Sequence, residues 1–115
     1  MTNLERLKLE LSNKEYYTIE EYSTFLQENN LEPTAEYNKA DNQINLLKTV
    51  VSILETLAND VDLMRKIDSK DILTIDQAYK YLANRISIIN NKIIDLEEKA
   101  NNYINIRPLF FNRRC

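Results

Sequence analysis

Residues 44–61 read INLLKTVVSILETLANDV, and this stretch decides the fold. Its apolar residues recur every three or four positions, which predicts an amphipathic helix running from Thr34 or Ala35 to about Ile67. The apolar residues form two adjacent rows, and such a face is wider than one partner helix covers. The first row is Ile44, Leu47, Val51, Leu54, Ala58 and Val61, and the second is Leu46, Val50, Ile53, Leu57 and Met64.

A second long helix is predicted after the loop of residues 68–73. Thr74 and Gln77 have the spacing of a capping box, so this helix should run from Ile75 to about Asn102. The short loop predicts that the two long helices form an antiparallel hairpin. The predicted apolar stripe is Ile75, Ala78, Leu82, Ile86, Ile89, Ile93, Leu96 and Ala100, with Ile88 and Ile94 beside it.

Two short helices are predicted before the hairpin. The first spans roughly Asn3 to Ser12, and at this length it must pack on another element to be stable. Thr18 and Glu21 form a capping box, so the second should run from Ile19 to about Asn29, with Ile19, Tyr22, Phe25 and Leu26 on its apolar side. The sequence therefore predicts an all-α bundle over residues 1–102, in which the two short helices pack on a long antiparallel hairpin.

The composition argues against several classes of function. The 115 residues include no glycine and no histidine. Glycine-dependent phosphate loops and nucleophile elbows are therefore excluded, and so are the commonest general base and metal ligand. We expect no enzyme activity, no cofactor and no metal site. No apolar run is long enough for a membrane span, and the single cysteine, Cys115, excludes a disulfide framework.

Charge is distributed unevenly along the chain. Residues 1–71 contain 14 acidic and 8 basic side chains, whereas residues 72–115 contain 4 acidic and 7 basic ones. An acidic front and a basic back favour contacts between copies, although an uneven solvated surface would give the same counts.

The predicted extended tail, residues 103–115, combines apolar and basic side chains. Pro108 prevents a helix from continuing through it. The tail either folds back on its own bundle or inserts into another subunit, with Phe110 and Phe111 as anchors and its arginines facing carboxylates. The residues predicted to dock are Ile106, Arg107, Pro108, Leu109, Phe110, Phe111, Arg113 and Arg114.

Residues 73–85, LTIDQAYKYLANR, resemble the opening helix of excisionase-type helix-turn-helix domains. The matching positions are Leu73, Thr74, Ala78, Tyr81 and Leu82. The resemblance ends there, because residues 86–92 continue the same helical stripe without a turn. A small DNA-binding regulator using residues 74–92 remains an alternative function, and a helical partner-binding protein is another.

In overall plan the chain resembles the head–tail connector, or adaptor, proteins of tailed bacteriophages and prophages of low-GC Gram-positive bacteria. The resemblance covers LERLKLEL, TIEEYSTFLQENN, VVSILETLANDVDLMRKI, the second long helix and the tail. It implies a structural subunit of the virion, made in the host cytoplasm, that forms a ring of about twelve copies through which DNA passes.

The same resemblance implies the partners of the chain. The tail would dock on the portal protein, and a tail-side completion protein would bind the opposite side of the ring. Channel DNA would be contacted without sequence recognition, and no membrane is involved. The long helices would make the ring contacts, and the predicted subunit-interface residues are Val50, Ile53, Leu57, Ile88 and Ile94.

Overall fold

The computed structural model describes residues 1–60 and 75–105. These residues form four helices, α1 (Asn3–Glu10), α2 (Ile19–Glu28), α3 (Lys39–Ala58) and α4 (Ile75–Asn105). The all-α prediction is confirmed. The predicted loop at 68–73, Thr74 and the docking residues 106–115 lie outside the described residues.

Reciprocal capping boxes start both short helices. The Thr18 hydroxyl accepts from the Glu21 N–H at 3.2 Å, and the Glu21 carboxylate accepts from the Thr18 N–H at 2.9 Å, as predicted. Thr2 and Glu5 form the same box at the start of α1, with distances of 3.2 and 2.7 Å. Each box satisfies two N–H groups that would otherwise lack a partner.

Asparagine takes the place of glycine where α2 ends. Asn30 adopts a left-handed backbone with φ of 63°. The N–H of Asn30 then donates to Gln27 O, and the N–H of Leu31 donates to Leu26 O, which closes a Schellman motif. Asparagine tolerates this conformation better than other non-glycine residues. The predicted end of this helix near Asn29 is confirmed.

The predicted bounds of the third helix are wrong at both ends. Pro33 and Ala35 accept hydrogen bonds from α1 and do not form the first turn of α3. The Asn3 N–H donates to Ala35 O at 2.9 Å. Asn38 then caps α3 by accepting from Ala40 N–H at 3.0 Å. At the other end α3 stops at Ala58, with Asn59 as its C-cap, so it does not continue to Ile67.

The core surrounds α3, which contacts α1, α2 and α4. Both predicted apolar rows of α3 are buried over most of their length, because three helices share them. Tyr22 and Leu26 of α2 are buried as predicted, whereas Ile19 is 53% exposed and does not belong to the core. The core residues of α3 are Leu46, Leu47, Val50, Val51, Ile53, Leu54 and Leu57.

Helix α4 packs along α3. Ala58 near the end of α3 shares a hollow with Tyr79 and Ile86, and Ile44 near its start shares another with Leu96 and Ala100. Within the predicted stripe Ala78, Leu82, Ile89 and Ile93 are buried, but Ala100 is exposed. Residues 103–105, which we assigned to the tail, belong to α4.

Candidate protein-binding site

Tyr22 fixes the segment that enters α2. Its side chain is 1% exposed, and its hydroxyl donates to Lys14 O at 2.9 Å. The same hydroxyl accepts from the Tyr16 N–H at 3.1 Å. Two backbone groups of residues 14–17 are therefore tied to one buried side chain, and this holds Tyr16 and Tyr17 against the bundle.

Tyr17 lies at the centre of an aromatic cluster on α2. Its ring meets that of Tyr22 edge to face, with centroids 6.2 Å apart. Its ring also packs against Phe25 at 5.6 Å, with the two planes tilted by 51°. Edge-to-face and tilted contacts are the favourable geometries for such rings. The cluster forms a rigid apolar floor for the surface beside it.

Two hollows meet at Tyr17 and Glu21, and together they form what we call the acidic groove. The hollow beside Tyr16 and Ile19 has a volume of about 430 Å³, and the one between α2 and α3 has about 290 Å³. The first volume lies within the range of about 300–1,000 Å³ that is typical of binding pockets, and the second lies just below it. The groove residues are Lys8, Glu15, Tyr16, Tyr17, Thr18, Ile19, Glu21, Tyr22, Thr24, Phe25, Glu28 and Thr56.

The groove has a strong excess of negative charge. Between Lys14 and Lys39 the sequence holds six glutamates and no lysine or arginine. Glu15, Glu21 and Glu28 line the groove and are exposed, and Lys8 is the single base among the described residues that line it. Carboxylates beside an apolar floor favour a ligand that carries both cationic and aromatic groups.

Burial raises the pKa of the tyrosine hydroxyls in the groove. Desolvation raises the pKa of Tyr16 to about 12, and it also raises the pKa of Tyr17 and of Tyr22. The Tyr17 hydroxyl oxygen is buried and, among the described residues, it is the one buried side-chain polar atom without a hydrogen-bond partner. These groups provide shape and hydrogen-bonding capacity, and the high pKa of Tyr16 makes its hydroxyl a poor general base near neutrality.

These pKa shifts predict that the protein loses stability in alkali. The folded-state pKa of Tyr16 is about 12, against an ordinary value of 10.0, so the unfolded chain releases its proton first. The stabilisation is therefore fully present below pH 10 and is lost as the pH rises towards 12. Chemical unfolding measured across this range should show that the free energy of unfolding decreases as the pH rises. The Tyr16→Phe variant should show a smaller decrease. Tyr79→Phe, at a side chain that is 53% exposed, should leave it unchanged.

The predicted subunit-interface residues divide into two groups. Val50, Ile53 and Leu57 are 0% exposed within one chain. Their side chains cannot contact a neighbouring subunit, so the prediction that these three residues lie at the subunit interface is wrong. Ile88 and Ile94 are 60% and 51% exposed. At 3.6 residues per turn they lie about 120° apart around α4, on opposite flanks of its buried stripe, so they do not form one patch.

The other predicted sites are placed as follows. The docking residues 106–115 follow α4 directly and lie outside the described residues. Helix α4 has no turn between Ile86 and Lys92, where a helix-turn-helix domain requires one. The described residues contain no group of three or more acidic or cysteine side chains that could hold a metal, and none of their helices is long and apolar enough to cross a membrane.

Comparisons with protein-family models, curated proteins and solved structures find no match to this chain. A function therefore has to be argued from the surface that the fold presents. The acidic groove was not predicted from the sequence. Two signals point to it in retrospect, namely the long run without lysine or arginine and the spacing of Glu21, Phe25 and Glu28 along one side of α2.

Proposed function

We propose that this protein is a structural subunit of a phage head–tail interface, in which copies form a ring between the portal and the tail. The observation that supports this most directly is the position of the end of α4. Ala100 lies beside the start of α3, and α4 continues to Asn105, more than one turn further. The basic and aromatic segment 106–115 therefore follows a helix that ends at the same end of the bundle as the start of α3.

The division between the helical body and this segment also supports the proposal. Helices α1, α2 and α4 cover α3, so most of the apolar residues of α3 are buried within one chain. The finer architecture that we propose is an antiparallel hairpin of α3 and α4 joined through residues 61–74, two short helices packed on it, and an extended docking tail. In this arrangement the body provides shape and the tail provides attachment.

The charge of the described surface is compatible with a DNA channel. The chain has a net charge of −3, and α2 carries Glu20, Glu21 and Glu28 without a base. Acidic surfaces repel phosphates, which would let DNA pass without adhering. We propose contact with channel DNA of this non-specific kind only.

The alternative of a helix-turn-helix regulator receives less support. It would use Lys80, Arg85 and Lys92 to contact phosphates. The Arg85 guanidinium already donates to Glu10 O at 2.7 Å, and Lys80 pairs with Asp76 at 3.3 Å. The other alternative is a free-standing helical partner-binding protein, which would be a compact monomer or dimer with the tail packed on its own bundle.

Deleting residues 107–115 tests the proposed function. We expect the truncated protein to keep its helical circular dichroism and cooperative unfolding, because the core is made by residues of α1 to α4 and the segment before α2. We also expect it to be missing from purified particles, whereas the full chain is present in stoichiometric copies at the portal vertex. Mass spectrometry and cryo-imaging of particles provide both measurements.

A matched control separates docking from folding in that experiment. The double replacement Phe110→Ser with Phe111→Ser keeps the chain length and the arginines but removes the aromatic anchors. It should reproduce the loss of incorporation. Incorporation of the truncated protein at full stoichiometry, or its failure to fold, would contradict the proposed role of the tail.

A further inference from the structure

We propose that the acidic groove binds segment 106–115 of a second copy of this chain, so that copies associate head to tail. This inference rests on the self-association part of the proposed function. It assigns the receiving surface to a neighbouring subunit, whereas the family resemblance assigns it to the portal.

The chemistry of the segment complements that of the groove. The segment IRPLFFNRRC carries three arginines and no acid, with two phenylalanines between them. The groove presents Glu15, Glu21 and Glu28 around an aromatic floor of Tyr17 and Phe25. Phenylalanine side chains suit the hollows beside Tyr17, and guanidinium groups pair with carboxylates in a fork geometry.

The groove also contains an unused hydrogen-bonding group. The Tyr17 hydroxyl lies in its wall, buried and without a partner among the described residues. Buried polar atoms normally have a partner, so a ligand can satisfy this unpaired one when its binding exposes the oxygen. A peptide entering between α2 and α3 brings backbone N–H groups and guanidinium donors to this part of the protein.

The two phenylalanines of the same chain do not extend as far as Thr56 in its own groove. Thr56, at the groove, is twelve residues from Ile44, which is about 18 Å along α3. Ile44 shares a hollow with Ala100, and Asn105 lies about 7 Å beyond Ala100 in the opposite direction. From Asn105 to Phe110, a fully extended chain spans at most about 18 Å, which is less than the roughly 25 Å required to reach Thr56. A phenylalanine that binds beside Thr56 would therefore come from another copy.

Such a contact joins two different surfaces of the same protein. The tail of one copy binds the groove of the next, so the first and last copies of an open chain keep one free groove and one free tail. Heterologous contacts of this kind generate closed rings when the rotation between copies closes, and open filaments when it does not. The contact thus supplies the ring of the proposed function with a specific interface.

Complementary variants of the full chain test this inference. The first, Thr24→Lys with Glu28→Lys, reverses the charge of the groove and keeps the tail. Glu28 ends α2, where a lysine is compatible with the helix dipole. The second, Phe110→Ser with Phe111→Ser, keeps the groove and removes the anchors of the tail. The matched control is Glu55→Lys with Asn59→Lys, which makes the same charge change at the same spacing on α3, outside the groove.

The measurement is sedimentation of each purified protein over a range of concentrations. The unmodified chain and the control should self-associate, and each groove or tail variant alone should be monomeric. An equimolar mixture of the two variants should form heterodimers and no larger species, because only one tail and one groove remain functional. Reversing groove charge should weaken self-association about tenfold or more, and added salt should weaken it further.

Three results would overturn the inference. The unmodified chain could remain monomeric at all concentrations, which is expected if its tail docks on its own hollow at Ile44 and Leu96. The control could lose association as fully as the groove variant, which would indicate unspecific charge effects. The mixture could fail to form heterodimers. If particles still require the tail in any of these cases, the proposed function stands and the portal becomes its receiving surface.

Discussion

Replacing Ile53 with alanine should lower the free energy of unfolding by about 3 kcal/mol. Ile53 lies in the middle of α3, its side chain is 0% exposed, and it belongs to the continuous core cluster. Truncation removes buried methyl groups and leaves a cavity that the surrounding helices only partly fill. Because a domain of this size is stable by only about 5–15 kcal/mol, this is a large fraction of the total.

The control for this prediction is Ile88→Ala on α4, where the side chain is 60% exposed. It should change the free energy of unfolding by less than about 0.5 kcal/mol. Urea unfolding followed by circular dichroism measures both. A small effect of Ile53→Ala on unfolding, combined with a loss of self-association, would return Ile53 to the subunit interface and contradict its burial within one chain.

The parts of the fold that the sequence predicts correctly depend on local rules. The capping box at Thr18 starts α2, and the spacing of Leu82, Ile89 and Ile93 identifies the buried side of α4. Both follow from the geometry of a single helix, in which residues three or four apart share one face. The two rows of α3 were also identified, and their breadth correctly indicated that more than one partner covers them.

The errors arise where distant segments decide the outcome. The start of α3 at Lys39 depends on hydrogen bonds from Asn3 and Leu4 to the segment before it, more than 25 residues away. The prediction that Val50 and Ile53 lie at a subunit interface was wrong. It assumed that the second apolar row of α3 is left uncovered by the other helices of the same chain. The short helices cover part of α3, and nothing in the periodicity of α3 specifies which helix that will be.

The acidic groove was missed for a similar reason. Its walls come from the segment before α2, from α2 itself and from Thr56 of α3. The sequence shows that the glutamates are numerous, but a run of acidic residues is usually a solvated surface. Only the position of Tyr17, held by the bonds of Tyr22 to residues 14 and 16, brings an apolar floor next to them.

Replacing Tyr22 with phenylalanine should therefore affect both stability and binding. The change removes one hydroxyl and leaves the Lys14 carbonyl and the Tyr16 N–H without their partner, with distances of 2.9 and 3.1 Å in the unmodified protein. Losing the partner of buried backbone groups costs about 1–3 kcal/mol, which should appear as a lower urea midpoint with an unchanged slope. Tyr79→Phe removes an exposed hydroxyl and should have almost no effect.

The same variant separates folding from docking in the groove. Without the two bonds, residues 14–17 are no longer fixed to α2, so the Tyr17 ring that both hollows share is held less firmly. Under conditions where Tyr22→Phe is fully folded, its self-association should be weaker than that of Tyr79→Phe by about threefold to tenfold, since binding must now order this segment. Equal self-association of the two variants would show that the position of Tyr17 does not matter for binding, and the receiving surface would have to lie elsewhere on the molecule.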